Sequence, residues 1–318
     1  MVSPPKFDSL EEIEQSTWLK TVKTTLEKDQ WPSECIRCQK SEEVGLDSIR
    51  TISNRQHEKF IKIREDYLVI DVVADTICNA ACPICSEDLS STIAKLKLIP
   101  INQFNGKYYL DQFPKERILQ LDLLGGEPGA SKRSKNILAN LKDYPNLQTI
   151  HLSTNGSVKI KELEPILMKG IRVELVISMD GTGSIFEYAR FPIKWKTFLS
   201  TIKYYCNLRE KYSNLSLLLW SSISALCVGD LDNMISFSQL HNIPLNGSAI
   251  EFPAPLGITN KNFVTLAAKE KLSNNDNEFI KKILISVATE NENDSSLIEF
   301  LEQNDSIRKT NFKNIYYA

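Results

Sequence analysis

The chain has 318 residues, 42% apolar and 25% charged, which allows a substantial core and excludes a wholly disordered, fibrous or disulfide-stapled miniature protein. Its 38 Lys and Arg against 40 Asp and Glu leave a net charge of -2, so no basic field draws it to nucleic acid or an anionic membrane. The first fifteen residues lack the apolar core of a signal peptide and the basic character of a transit peptide, and the most apolar stretch, 215–228, falls short of the ~20 residues that span a bilayer. A cytoplasmic location with no membrane partner is expected.

Apolar positions at Leu10, Ile13, Val22 and Leu26, with Trp18 near the same face, predict one helix over 8–28 that stops before Trp31-Pro32. A cysteine pair, Cys35 and Cys38, follows it. The continuous run Leu68, Val69, Ile70, Val72, Val73 predicts a strand buried on both faces of a parallel sheet, and a second cysteine group, Cys78, Cys82 and Cys85, comes directly after. Strand-like runs at 118–124, 147–153, 171–178, 216–227 and 245–252 then alternate with helical stretches at 131–143, 193–208 and 230–241, the last opening at the capping candidate Asp230. The alternation predicts an α/β fold, six parallel strands forming a partial (β/α)6 TIM-like barrel with right-handed crossovers. Beyond Pro253 and Pro255 the composition turns to Asn, Asp, Ser and Glu around apolar clusters at 279–287 and 297–301, which predicts a small, loosely connected helical extension. Three regions are expected: an N-terminal helical segment with the cysteine pair over 1–62, the barrel over 63–256, and the acidic extension over 257–318.

The chemistry is concentrated at strand ends. Cys78, Cys82 and Cys85 place three thiols within eight residues after a strand, where a parallel sheet carries its functional loops. In a reducing compartment such clustering points to metal before disulfide. Three cysteines on a four-iron cluster leave one iron open to a ligand; a zinc site or buried free thiols are the other readings of these residues. Gly125-Gly126-Glu127-Pro128 ends the next strand. Paired glycines let a ligand approach the backbone and the carboxylate can accept from an ammonium group, although the tetrapeptide alone also reads as a turn.

Together these residues resemble the radical S-adenosylmethionine (SAM) enzymes, whose hallmark is C-x3-C-x2-C after the first strand of a partial barrel and a GGE-type motif after the second. Ile84 stands where that family usually has an aromatic residue. The resemblance implies that Cys78, Cys82 and Cys85 ligate a [4Fe-4S] cluster and that SAM chelates its open iron. One electron then cleaves SAM to methionine and a 5'-deoxyadenosyl radical, which abstracts hydrogen from a substrate. Ser153-Thr154-Asn155-Gly156 ends the third strand, and Ser178-Met179-Asp180-Gly181 ends the fourth and leads through Glu187, Tyr188 and Arg190 to Pro192 and Trp195. This resembles the S-x-D-G, EY-x-R-x-P, W signature of radical SAM proteins with SPASM or shorter twitch extensions. The likeness implies cofactor contacts for Gly125, Gly126, Glu127, Pro128, Ser153, Asn155, Ser178, Asp180 and Arg190, with Arg190 pairing the methionine carboxylate; turn roles for Ser153 and Asn155 and a surface ion pair for Arg190 are the plainer readings.

Cys35 and Cys38, with Glu42, Gly45, Ser48 and Arg50 behind them, resemble a segment found ahead of the barrel in twitch-type members, which commonly carry an auxiliary iron-sulfur cluster. A pair supplies only two ligands, and Cys206 and Cys227 sit in a predicted helix and a predicted strand. Zinc, a cluster completed by distant cysteines and an unmetallated pair all remain open there. The resemblance further implies a peptide or small-molecule substrate and a low-potential electron donor such as flavodoxin or ferredoxin. A function of another class, a non-catalytic zinc-binding adaptor, would use the same cysteines structurally. Among the histidines, His151 reads as packing beside a strand end and His241 as a cation closing a helix; His57 has no assigned task.

Overall fold

The computed structural model describes residues 7–43, 48–61, 66–101, 110, 113–250, 252–258, 263–273, 275, 277–286 and 295–316. Gly45, Val287 and the expected boundary at 62–63 lie outside them. The elements in chain order are α1 (Leu10–Gln15), α2 (Thr17–Glu27), α3 (Ile36–Glu43), α4 (Ile49–Ile61), β1 (Leu68–Val73), α5 (Ser91–Leu96), β2 (Ile118–Leu124), α6 (Lys132–Leu141), β3 (Thr149–Thr154) and α7 (Leu163–Met168). They continue with β4 (Arg172–Ser178), α8 (Gly183–Ala189), α9 (Trp195–Lys211), β5 (Leu215–Ile223), α10 (Leu231–His241), β6 (Leu245–Ala249), α11 (Phe263–Leu272), α12 (Glu278–Ser286), α13 (Ser295–Arg308) and α14 (Lys313–Tyr316). The fold is α/β, as expected. One six-stranded sheet runs in the order β1-β2-β3-β4-β5-β6, and β2 to β6 pair parallel, the pattern of a partial TIM-like barrel.

The chain forms two compact units. The first comprises Met1–Ile70, Asn105–Leu119 and Tyr144–Asn146; the second comprises Asp71–Phe104, Gln120–Asp143 and Leu147–Ala318. In the first unit the expected helix over 8–28 is two helices. Ser16 breaks it: its backbone is extended (φ -62°, ψ 140°) and its hydroxyl accepts from Leu19 N at 3.1 Å, capping α2.

In the second unit the sheet has one covered and one open face. Val173, Leu175 and Ile177 of β4 and Leu215, Leu217, Leu219 and Ile223 of β5 are buried, whereas Glu174, Val176, Ser178, Leu218, Trp220 and Ser222 between them are only half-buried. Strand β1 departs from the sequence reading, because its residues are half-buried or exposed, with Val73 48% exposed. A strand at the edge of an open sheet has one neighbour and one covered face, so an apolar run there does not mean burial on both sides. Strand β5 also ends earlier than 227, and Cys227 lies in the turn before α10. No described helix is long and apolar enough to cross a membrane.

Residues of the expected extension belong to the same unit as the sheet. Leu297, Leu301 and Phe312 share a core with Tyr188, Ala189, Ala225, Leu226 and Leu256, and Ile84 of the cysteine loop packs against it. Tyr316 adds a hydrogen bond from its hydroxyl to Leu226 O at 2.7 Å. Leu301 is fully buried, so Leu301→Ala is expected to cost about 2–5 kcal/mol in urea denaturation. A cost under about 0.5 kcal/mol would mean that α13 is a loose appendage.

Candidate functional site

The segment leaving β1 runs against the end of β2. Gly126 N donates to Asp75 O at 2.9 Å, and Glu127 N donates to Ile77 O at 2.8 Å. This approach explains the paired glycines. A Cβ on Gly125 would lie 2.3 Å from Asp75 O and one on Gly126 would lie 2.1 Å from Ile77 O, while Gly125 also has φ +114°. The room the glycines leave is filled by the backbone of the cysteine segment, where the sequence reading put a ligand. Hydroxyls at the start of α5 hold the loop from the other side. Cys78 O accepts from Thr92 Oγ1 at 2.6 Å and Ser91 Oγ at 3.2 Å, Cys78 N donates to Ser91 Oγ at 3.1 Å, and Ser90 Oγ donates to Ala80 O at 2.6 Å. Sequence reasoning missed these three residues, whose signal was a Ser-Ser-Thr run at a helix start.

Glu127 is buried, and its oxygens are engaged within the protein. Oε1 accepts from Thr154 Oγ1 at 2.7 Å and Gly129 N at 3.0 Å, and Oε2 accepts from Asn155 N at 2.7 Å. Burial pushes its carboxyl above the usual range while these donors pull it down. In this geometry Glu127 anchors the turn after β3, where the sequence reading had it face an ammonium group. The turn in turn meets the cysteine loop: Asn155 Nδ2 donates to Asn79 Oδ1 at 2.9 Å and lies 3.9 Å from Cys78 Sγ, and Asn79 Nδ2 donates to Ser157 Oγ at 2.9 Å. Ser153 is exposed and directly precedes Thr154, and Ser178 is half-buried, two positions before Asp180. Pro128 is buried.

At the end of β4, Asp180 Oδ1 accepts from Ser222 N at 2.9 Å and Oδ2 pairs with Arg190 Nη2 at 2.6 Å. Arg190 is buried, 8% exposed, so it is not a surface ion pair, and its Nη1 lies 3.8 Å from Cys82 Sγ. Burial works against its charge, but Asp180 and the Cys82 thiol hold it charged. The rest of the signature is structural. Glu187 accepts from Trp195 N at 3.0 Å at the start of α9, Tyr188 Oη donates to Asp305 Oδ1 at 3.0 Å, and Trp195 stacks on Phe198 with ring centroids 5.1 Å apart. Asp230 does not cap α10 with its side chain; Oδ2 accepts from Thr182 N at 2.6 Å and Thr182 Oγ1 at 2.8 Å, fixing the turn before α8.

All seven cysteines are free thiols. Burial pushes Cys78 up to about 12 and Cys85 up to about 11, and it raises Cys82 against the opposing pull of Arg190. Among the described residues no three His, Cys, Asp or Glu side chains gather as the ligands of a single ion would. One zinc ion with 2.3 Å bonds draws its sulfurs to about 3.8 Å from one another, whereas a four-iron cluster spreads them over separate irons. The donor set, three thiols beside a buried guanidinium, fits the cluster. A cavity of about 390 Å³ lies next to Cys82 and Cys85, walled by Lys97, Phe252, Phe300 and Arg308.

Within the N-terminal unit, Cys35 directly precedes α3 and Cys38 stands in its first turn, both half-buried. Burial first, and Cys38 second, raises the Cys35 thiol. Glu42 forms an ion pair with Arg50 and accepts from Ser48 Oγ at 2.5 Å, and the Arg50 guanidinium lies 4.9 Å from the Trp31 ring centre, so three residues of the expected segment form one contact set.

On the open sheet face, parallel register aligns Asp122, His151 and Glu174. His151 Nδ1 lies 3.2 Å from Asp122 Oδ1, Nε2 lies 2.7 Å from Glu174 Oε2, and Arg172 Nε lies 2.9 Å from Glu174 Oε1. His151 is thus one member of a charged row, which the sequence reading as packing did not contain; the row needs the register of three strands. His241 is corrected too. Burial lowers its pKa, so it is not the cation at the end of α10; Arg209 is, donating to Asn242 O at 2.6 Å and His241 O at 3.1 Å.

No protein-family model and no curated protein matches the chain. Solved structures do. Streptococcus suis SuiB bound to S-adenosylmethionine is similar at 12% identity and TM-score 0.42, over 83% of this chain and 62% of that one. SuiB bound to its precursor peptide SuiA is similar at 15% identity and TM-score 0.44, over 94% of this chain and 67% of that one. The anSMEcpe protein with bound AdoMet is similar at 17% identity and TM-score 0.42, over 56% of this chain and 50% of that one.

Two outcomes follow from this geometry. Gly126→Ala sets a Cβ against backbone and is expected to cost about 3 kcal/mol or more in chemical denaturation; a change within error would mean that the two segments separate freely. His151 titrates at about 9 against an ordinary 6.5, because hydrogen bonds to Asp122 and Glu174 override burial, which alone would lower it. A raised pKa stabilises the fold fully below 6.5 and stops doing so as pH rises through 9. The stability gap between wild type and His151→Asn is therefore expected to be constant up to that lower value and to close above the upper one. A gap independent of pH would refute the charged row.

Proposed function

We propose that the protein is a radical SAM enzyme that holds a [4Fe-4S] cluster on Cys78, Cys82 and Cys85, binds S-adenosylmethionine beside it and acts on a peptide or protein side chain. The observation that carries this reading is the arrangement around the three thiols, where Asn155, in the turn after β3, and Arg190, closing α8, reach two of the sulfurs. When bound, the cluster and S-adenosylmethionine supply one-electron cleavage to methionine and a 5'-deoxyadenosyl radical that takes a hydrogen atom from substrate.

The chain's own residues prepare that chemistry. Gly125 to Pro128 brace the cysteine loop, Glu127 fixes the turn that carries Asn155, and Asp180 holds Arg190 charged beside Cys82. Ser153, exposed, and Ser178, half-buried, stand at the ends of β3 and β4 and would contact S-adenosylmethionine, and the open sheet face would receive the substrate. Cys35 and Cys38 would hold a second cluster or zinc within their own unit, and a donor of flavodoxin or ferredoxin type would supply the electron. A zinc adaptor would leave these strand-end contacts without a task.

The test is anaerobic iron loading of wild type and of the variant with Cys78, Cys82 and Cys85 all replaced by Ala. Wild type is expected to gain about four irons per chain at this loop and to release 5'-deoxyadenosine with reductant and S-adenosylmethionine, and the variant to lose both. Iron and 5'-deoxyadenosine unchanged in the variant would sink the reading.

A further inference from the structure

Three N–H groups that are buried in the second unit have no hydrogen-bond acceptor among the described residues: Nε of Arg190, and Nε and Nη2 of Arg308. More than nine in ten buried polar groups are satisfied, so three orphans on two guanidinium groups around one loop call for an acceptor in common. Arg190 has Asp180 at 2.6 Å. Arg308 is less fully balanced. It is 5% exposed, and its nearest carboxylate oxygen, Asp305 Oδ1, stands 3.7 Å from Nη2. Asp305 meanwhile accepts from Tyr188 Oη at 3.0 Å, Thr310 Oγ1 at 2.5 Å and Phe312 N at 2.6 Å.

The position of Arg308 is fixed from several sides. Nη1 donates to Tyr188 O at 3.0 Å and reaches Ala81 O at 3.5 Å, and the guanidinium carbon lies 4.4 Å from the Tyr188 ring centre and 5.7 Å from that of Phe191. The carbonyl of Ala81 directly precedes Cys82. Arg308 also lines the cavity shared by Cys82 and Cys85. Burying a guanidinium is costly unless a negative charge meets it. Three thiolates on a cluster of four irons bring that charge to the loop, and one-electron reduction adds to it.

We propose that Arg308 is a positioning residue for the cluster: from α13 it presents a fixed positive charge to the Cys82 side of the loop and favours the reduced, more negative state. This rests on the radical SAM reading. Arg308 acts through the electrostatics of the loop and through its hold on the Ala81 carbonyl, and it takes no part in bond making. The sequence carried no sign of it, since it stands in the acidic tail, 227 residues from Ala81.

The experiment is a dithionite titration of the iron-loaded protein, with the fraction of reduced cluster read by electron paramagnetic resonance and iron counted in each sample. Arg308→Gln is expected to keep its iron and to lower the reduced-to-oxidised ratio at fixed poise about tenfold, which is about 59 mV for a one-electron couple. Arg308→Lys, which keeps the charge without the planar fork, is expected to recover most of that ratio. A wild-type ratio in Arg308→Gln would overturn the proposal. Should Arg308→Gln lose its iron or its fold, Asp305→Asn decides: freeing Arg308 of its carboxylate is expected to raise the ratio, and an unchanged or lowered one would refute the assignment. Wild type without iron would end the radical SAM reading itself, and this proposal with it; iron present but indifferent to Arg308 would end only this one.

Discussion

Everything at the strand ends depends on how closely two backbones approach. The cysteine segment lies against Gly125 and Gly126 at a separation that leaves no space for a Cβ, and the two hydrogen bonds made there set the height of the loop above the sheet. With that height fixed, the carboxylate of Glu127 falls inward to the turn after β3, and the side chain of Asn155 comes level with Cys78. A motif that looks like a ligand cradle is first a spacer between two pieces of main chain.

Charge is arranged in a second tier. Asp180 receives two donors from the end of β5 and gives its other oxygen to Arg190, so the guanidinium beside Cys82 is held by the sheet and not by its own helix. Arg308 reaches the same loop from α13. Two cations approaching three thiols from separate elements suit an anionic group better than neutral thiols, because neutral sulfur repays little of the cost of burying charge.

The strands, the cysteine triplet and the turn motifs were legible in the sequence because each is a local pattern: apolar runs, thiol spacing, a glycine pair. The signature through Glu187, Tyr188, Arg190 and Trp195 was also legible, but its division of labour was not, since Glu187 serves α9 and Tyr188 serves α13. What stayed hidden required tertiary neighbours. The break at Ser16 is a competition between a hydroxyl cap and a continuing helix. The row through His151 exists only when three strands are in register, and apolar Leu68 to Val73 faces water on one side because β1 is an edge. His241 and Arg209 exchange roles because burial disfavours the imidazolium while an extended arginine reaches the carbonyls from outside.

The contacts that shape the cysteine loop span 77 residues to Asn155, 108 to Arg190 and 227 to Arg308. Loops of that length close slowly, since their entropy is lost before the contacts compensate for it, and parallel pairing adds to the delay. The thiols are therefore expected to reach their final orientation late in folding, after neighbouring strands have paired. On the proposed reading a metal would meet a seat that the fold has already built, the reverse of a zinc finger, in which the ion drives the chain to fold.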